Sequence, residues 1–288
     1  MASKSEIESL VYLLDDPDPY VQQRVKTRLF ELGEQAVPLL DEQKTHTKDD
    51  EERELINEII QWITYGSLEE DFIDVLENGI ADLKELEKAI FILARFENPT
   101  LREGEYKRKL DRFANMIEDE LRYQLDDSKK MHMLLDFVFD ELNFSGDTED
   151  YYHPDNSYFH RVIDRREGLP ISLGLVVLFL ARRLELPFHG VNMPIHFMLK
   201  YKGEKDEILI DPFDRGKVVS YNQCYFFLKQ NGIEPKSEHF ETATAGEILA
   251  RCIRNLIQSF SRRDKEEKVQ NLKNLLNMVE MFISKGTE

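Results

Sequence analysis

Cysteine is scarce. The 288-residue chain holds two, Cys224 and Cys252. Two thiols cannot build a disulfide framework in a chain of this length, so a reducing compartment, the cytoplasm, is the expected setting. Long apolar runs are also missing. The longest, Leu173 to Ala181, falls far short of the ~20 residues that cross a bilayer. The opening stretch "MASKSEIESLVYLLDDPDP" is broken by Glu6, Glu8, Asp15 and Asp16, unlike the apolar core of a signal peptide. Positive charge is in deficit: 38 Lys and Arg against 56 Asp and Glu leave a net charge of −18. Such a surface repels phosphate backbones and anionic lipid, so neither nucleic acid nor a membrane is expected as a partner. No glycine-rich phosphate loop is present. The seven histidines show no HxH or HxxxH spacing, and "DPDNSY" lacks the full ligand series of a calcium loop. No metal and no cofactor are expected.

The chain does contain 41% hydrophobic and 33% charged residues, the balance of a globular protein with room for a sizeable core and two packed units. Its first half reads as helix. Leu10, Leu13 and Leu14 form one apolar stripe, and "DDPDPY" breaks it, with Pro19 suited to a first helical turn. Val21, Val25, Leu29 and Leu32 form the next, and Gly33 is placed to end it. This pattern, with "AVP" after it, resembles one HEAT-type repeat. The polar "DEQKTHTKDDEERE" follows. Further helices are expected over about 52–65, 69–77, 82–96, 103–125 and 128–142, the last opened by Ser128 as a cap.

After Phe144 the texture changes. "SGDTEDYYHPDNSYF" is rich in turn residues and aromatics. An apolar helix then starts at "REGLPISLG" and ends near Leu186-Pro187. "PIHFMLKYK" and "EILIDPF" alternate as strands do, with "GEKD" as the turn between them, and "KVVS" adds a third short strand. From about residue 245 two helices return, with the texture of a tetratricopeptide-like pair.

Two candidate sites emerge from the residues. If the hairpin turn is centred between Gly203 and Glu204, opposed residues sum to 407, and His196 faces Asp211. Opposed side chains share a face with Cβ atoms roughly 5 Å apart, close enough for a carboxylate to hold an imidazole. A two-residue shift leaves them diagonal on one face; a one-residue slip separates them. Ser172 stands at the head of the apolar helix. It suits an N-cap, with Ile171 and Val176 as the staple, and a helix N-terminus is also where a nucleophile would be stabilised. Asn156 in "DNSY" could supply a donor near the site, and Arg165 and Arg166 an anion contact; the favoured readings are an ordinary turn residue and a solvated edge. Cys224 and Cys252 read as packed core.

Taken in order and spacing, "NSY", "RREGLPISL", "PIHF" and "ILIDPFD" strongly resemble the core of the transglutaminase-like superfamily, and within it the bacterial SirB-type proteins. The resemblance covers about residues 83–260. It implies an α+β, mostly helical protein: a transglutaminase-like (papain-like) core with a small antiparallel sheet. HEAT-like helices over 1–80 precede a core over 81–240, and a tetratricopeptide-like pair over 241–288 follows. It further implies a triad of nucleophile, base and orienter on Ser172, His196 and Asp211, beside which Asn156 stands as the candidate substrate-binding residue. Where active members carry cysteine, this chain carries serine, whose hydroxyl depends wholly on an adjacent base. Two functions follow. One is a hydrolase or acyl transferase on amide or ester bonds. The other is an inactive fold that binds a protein or peptide partner. Oligomeric state is not legible.

Overall fold

In the computed structural model, which describes residues 4–204 and 207–285, the chain divides into two compact units. The smaller takes the chain up to Asp74 together with Ile92–Leu101; the larger takes Val75–Phe91 and the residues from Arg102 on. The first helices are α1 (Lys4–Tyr12), α2 (Pro19–Leu32), α3 (Val37–His46) and α4 (Asp50–Asn78). Asp18 caps α2 by accepting the Tyr20 N–H at 2.9 Å, Pro19 fills the first turn, and Gly33 ends the helix at φ +55°. Val25, Leu29, Val37, Leu40, Ile56 and Ile59 are buried together as the core of this unit. The two helices expected over 52–65 and 69–77 are one, α4. Gly66 does not break it; a Cβ there would lie 3.2 Å from the Phe30 ring, so glycine serves close packing against α2.

The larger unit holds most of α5 (Leu83–Ala94), then α6 (Glu103–Tyr123), α7 (Asp127–Asp136), which passes into a π turn over Phe137–Glu141, and α8 (Phe159–Arg165). Asp126, not Ser128, caps α7, accepting the Lys129 N–H at 3.1 Å. Strands β1 (Ser145–Gly146) and β2 (Glu167–Gly168) pair in parallel just before α9 (Pro170–Arg183). Every residue of α9 from Pro170 to Ala181 is buried, which explains its unbroken apolar run: it packs against α6, α8, α11 and the sheet. Its C-terminal end is anchored where buried Glu87 receives Arg182 at 2.9 Å and Arg183 at 2.7 Å.

Strands β3 (Phe188–Val191), β4 (Met198–Lys202), β5 (Glu207–Asp211) and β6 (Lys217–Val219) form one antiparallel sheet in chain order. The strand expected over "PIHFMLKYK" starts only at Met198. Ile195 takes φ +59°, a left-handed conformation unfavourable for a β-branched residue, and the His196 N–H turns back to Met193 O at 3.3 Å. The "GEKD" turn lies partly outside the described residues. The unit closes with α10 (Tyr221–Gln230), α11 (Ala245–Ser261) and α12 (Glu266–Lys285). Ser220 with Gln223 and Thr244 with Glu247 form capping boxes for α10 and α11, and α11 packs along α12.

Candidate functional site

The β4–β5 register sets Leu199 opposite Ile210, so opposed residues sum to 409, not 407. The parity is preserved. His196, on the turn before β4, is therefore a diagonal neighbour of Asp211 at the end of β5, and its Nε2 lies 2.9 Å from Asp211 Oδ1. The Phe213 and Asp214 N–H groups donate to the same oxygen at 2.8 and 3.3 Å. Burial pushes the Asp211 carboxyl up. The hydrogen bond and charge of His196, with the two backbone donors, outweigh burial and hold the carboxyl below the ordinary range. The Phe227 ring stands edge-on to His196 at 5.9 Å. With Nε2 donating to the carboxylate, Nδ1 is the nitrogen left to accept a proton.

Ser172 is not the N-cap. α9 begins at Pro170, and Leu169 is the capping residue, which has no side-chain acceptor. Ser172 sits in the third helical position and serves the cap from there. Its Oγ accepts the Leu169 N–H at 2.9 Å and donates to Asn156 O at 2.7 Å, with Leu169 O at 3.1 Å. The residue is 1% exposed. A Cβ on Gly168 would lie 2.5 Å from this oxygen and 3.1 Å from the Val162 methyls, so the chain is drawn tightly around the hydroxyl. The bonds of Ser172 go to backbone, and the ring bond of His196 goes to Asp211.

Asn156 is fully buried, and its amide is committed to the protein. Its Nδ2 donates to Asp147 Oδ2 at 3.0 Å and to the carbonyls of Asp150 and Tyr151, and its Oδ1 accepts from Arg165 at 2.9 Å. It ties the 147–156 loop together and sets the carbonyl that Ser172 binds. Arg165 also reaches Asp147 and Glu167, so it is a network member, not a solvated edge. Arg166 ends α8 at φ +63° with its guanidinium between the Phe113 and Phe144 rings, at 4.7 and 4.6 Å. Both cysteines are buried. Desolvation raises both thiols, with Asp211 adding to the effect at Cys224, and pushes Cys252 up to about 12, so neither is a thiolate nucleophile. Among the described residues, no three His, Cys, Asp or Glu side chains gather as a metal site would require, and no helix is long and apolar enough to cross a membrane.

The sequence reading missed a cavity. It is lined by Leu169–Ile171, just before Ser172, by Ile195 and Phe197, on either side of His196, and by Arg251 of α11. The available signal was a polar stripe on α11: Arg251, Asn255, Gln258 and Ser259 recur at i, i+4, i+7 and i+8 on one face.

A model described as the transglutaminase-like superfamily matches residues 104–254. Asn156, Ser172, His196 and Asp211 all fall between residues 104 and 254. F-box only protein 21 of Homo sapiens is 29% identical over 222 residues, covering 72% of this chain and 34% of that protein. The Mus musculus protein of that name is 32% identical over 149 residues, 49% of this chain and 23% of its own. A UPF0162 protein of Xylella fastidiosa strain 9a5c is 32% identical over 183 residues, 62% of this chain and 65% of that protein. The chain thus spans about a third of the human F-box only protein 21 and just under two thirds of the bacterial relative. No solved structure matches.

Proposed function

The chain belongs to the transglutaminase-like superfamily, and from that premise we propose that it is a SirB-type member whose core works as a protein-interaction module and does not perform acyl transfer. The observation that carries this is the bonding of Ser172. A serine nucleophile needs its proton aimed at a base. In this chain Oγ donates to Asn156 O, accepts from Leu169 N–H and is closed off from solvent. Attack would require breaking a buried pair of hydrogen bonds before any chemistry began. The flanking helices suit a binding role: the N-terminal unit reads as HEAT-like and the α11–α12 hairpin as tetratricopeptide-like. In F-box only protein 21 the matched stretch is part of a longer protein, which suits a module that works within larger proteins. Two unpaired thiols fit a cytoplasmic setting.

One observation favours a second reading, a serine hydrolase. The His196–Asp211 pair survives at 2.9 Å and is half-buried. In that reading Ser172 attacks an amide or ester carbonyl, His196 takes its proton and Asp211 orients the ring. A fluorophosphonate probe separates the two. The module reading expects no labelling that depends on Ser172. Labelling abolished by both Ser172→Ala and His196→Ala would overturn it.

A further inference from the structure

The missed cavity, about 230 Å³, has one charged side chain in its lining, and it is a cation in a chain of net charge −18. Arg251 lines it. One of its N–H groups donates to Met193 O at 2.8 Å, and its guanidinium stands over the Phe197 ring at 5.9 Å. Arginine has five such donors. Burial pulls this guanidinium below its ordinary value, and the groups that act on it are Tyr151, Cys252 and Arg254, with no carboxylate among them. Arg183 of the same unit shows the contrast, bonded to both Glu87 and Asp111. Arg251 is thus a largely buried cation without an acid partner among the described residues, an arrangement that costs free energy unless an anion arrives.

A second, independent feature lies on the same α11 face. Ser259 is 1% exposed, and its Oγ has no hydrogen-bond partner among the described residues. An unpartnered buried hydroxyl is itself unfavourable. The start of α9 also borders the cavity and brings the positive end of the helix dipole. The walls also include the rings of Tyr151 and Tyr152 and the side chains of Ile171 and Ile195. The space is smaller than the roughly 300–1,000 Å³ of sites for drug-sized molecules and holds one residue-sized group.

We propose that this cavity is a carboxylate-recognition pocket, taking a free carboxylate on a short chain, an acidic side chain or a C-terminus of a partner peptide, with Arg251 as its charge partner. The planar guanidinium matches a carboxylate with two parallel bonds. Ser259 and Asn255 supply further donors, and the tyrosine rings cover the methylenes that carry the acid. The inference rests on the module reading for the ligand being part of a protein; it does not require Ser172 to be inert.

The full chain, labelled at isoleucine methyls, tests this by NMR titration, because Ile171 and Ile195 line the pocket while Ile7 is buried in the other unit. Acetyl-glutamate amide carries only a side-chain acid, acetyl-glutamine only a terminal one, and acetyl-glutamine amide neither. Saturable shifts at Ile171 and Ile195 are expected for one acid-bearing compound, at an affinity at least about tenfold above the neutral amide. Which acid binds identifies the source. Arg251→Gln should abolish the response, Arg251→Lys retain part of it, and Ser259→Ala weaken it, each with the Ile7 signal unmoved. Equal response to the neutral amide, no saturable shift with any compound, or stronger binding of inorganic phosphate would overturn the proposal. If Arg251→Gln disturbs Ile7, an undiminished affinity in Ser259→Ala would overturn it instead. Ser172-dependent probe labelling would sink the module reading and leave a positive titration standing; a flat titration without labelling sinks the pocket alone.

Discussion

Replacing Ser172 with alanine removes one oxygen that serves the Leu169 N–H and the Asn156 carbonyl inside the protein. A buried group left without its partner costs about 1–3 kcal/mol, so Ser172→Ala should lower the urea midpoint by that equivalent with an unchanged slope. A serine held only for reaction would be truncated at almost no cost in stability. The sequence located this residue at a helix start but put the cap three positions late. Pro170 needs no N–H partner and can open the helix, which moves the cap back to Leu169, and a cap without an acceptor gives no local signal. His196 and Asp211 were legible because alternation fixes which face a strand residue takes, and a register error of two leaves that face unchanged. Arg251 was hidden because a polar residue in an amphipathic helix ordinarily faces water.

At the scale of elements, α9 and the turn before β4 meet at one glycine. A Cβ on Gly174 would lie 2.6 Å from the Phe197 ring, and Phe197 is buried next in sequence to His196. Alanine at an exposed helical position favours the helix by up to about 1 kcal/mol over glycine. Here overpacking costs about 1–3 kcal/mol and wins. Gly174→Ala should therefore lower the melting temperature and shift the His196 ring signals, both read directly by calorimetry and NMR. The long helices were legible because their apolar stripes run for several turns. Helices α8 and α10 were not: α8 has seven residues, and α10 exposes Tyr225, Phe226 and Phe227, which blurs its periodicity. Strand β3 is four residues long and includes Gly190, too short and too mixed to alternate.

Across the whole molecule, several carboxyls are held below their ordinary values. Burial pushes Asp147, Asp164 and Asp211 up, and their hydrogen bonds outweigh it: backbone donors with Asn156 and Arg165 for Asp147, Lys109 and Tyr106 for Asp164, His196 for Asp211. A carboxyl depressed in the folded state contributes stability that is full above its unfolded value, near 3.8, and disappears as pH falls through the lower folded value. Unfolding free energy should therefore be insensitive to these groups above about pH 5 and fall steeply below 3.8, in an acid titration followed by circular dichroism. A midpoint well above that range would show that these pairs do not govern acid stability. The close approach at Gly168 bears on how such a chain can change over generations. A larger sulfur at position 172 would crowd Gly168, where an added Cβ would already lie 2.5 Å from the serine oxygen, and would serve Leu169 and Asn156 poorly. Exchanges at 168 and 172 should therefore couple in their effect on stability and not add. Ser172→Cys alone should lower the stability of the fold.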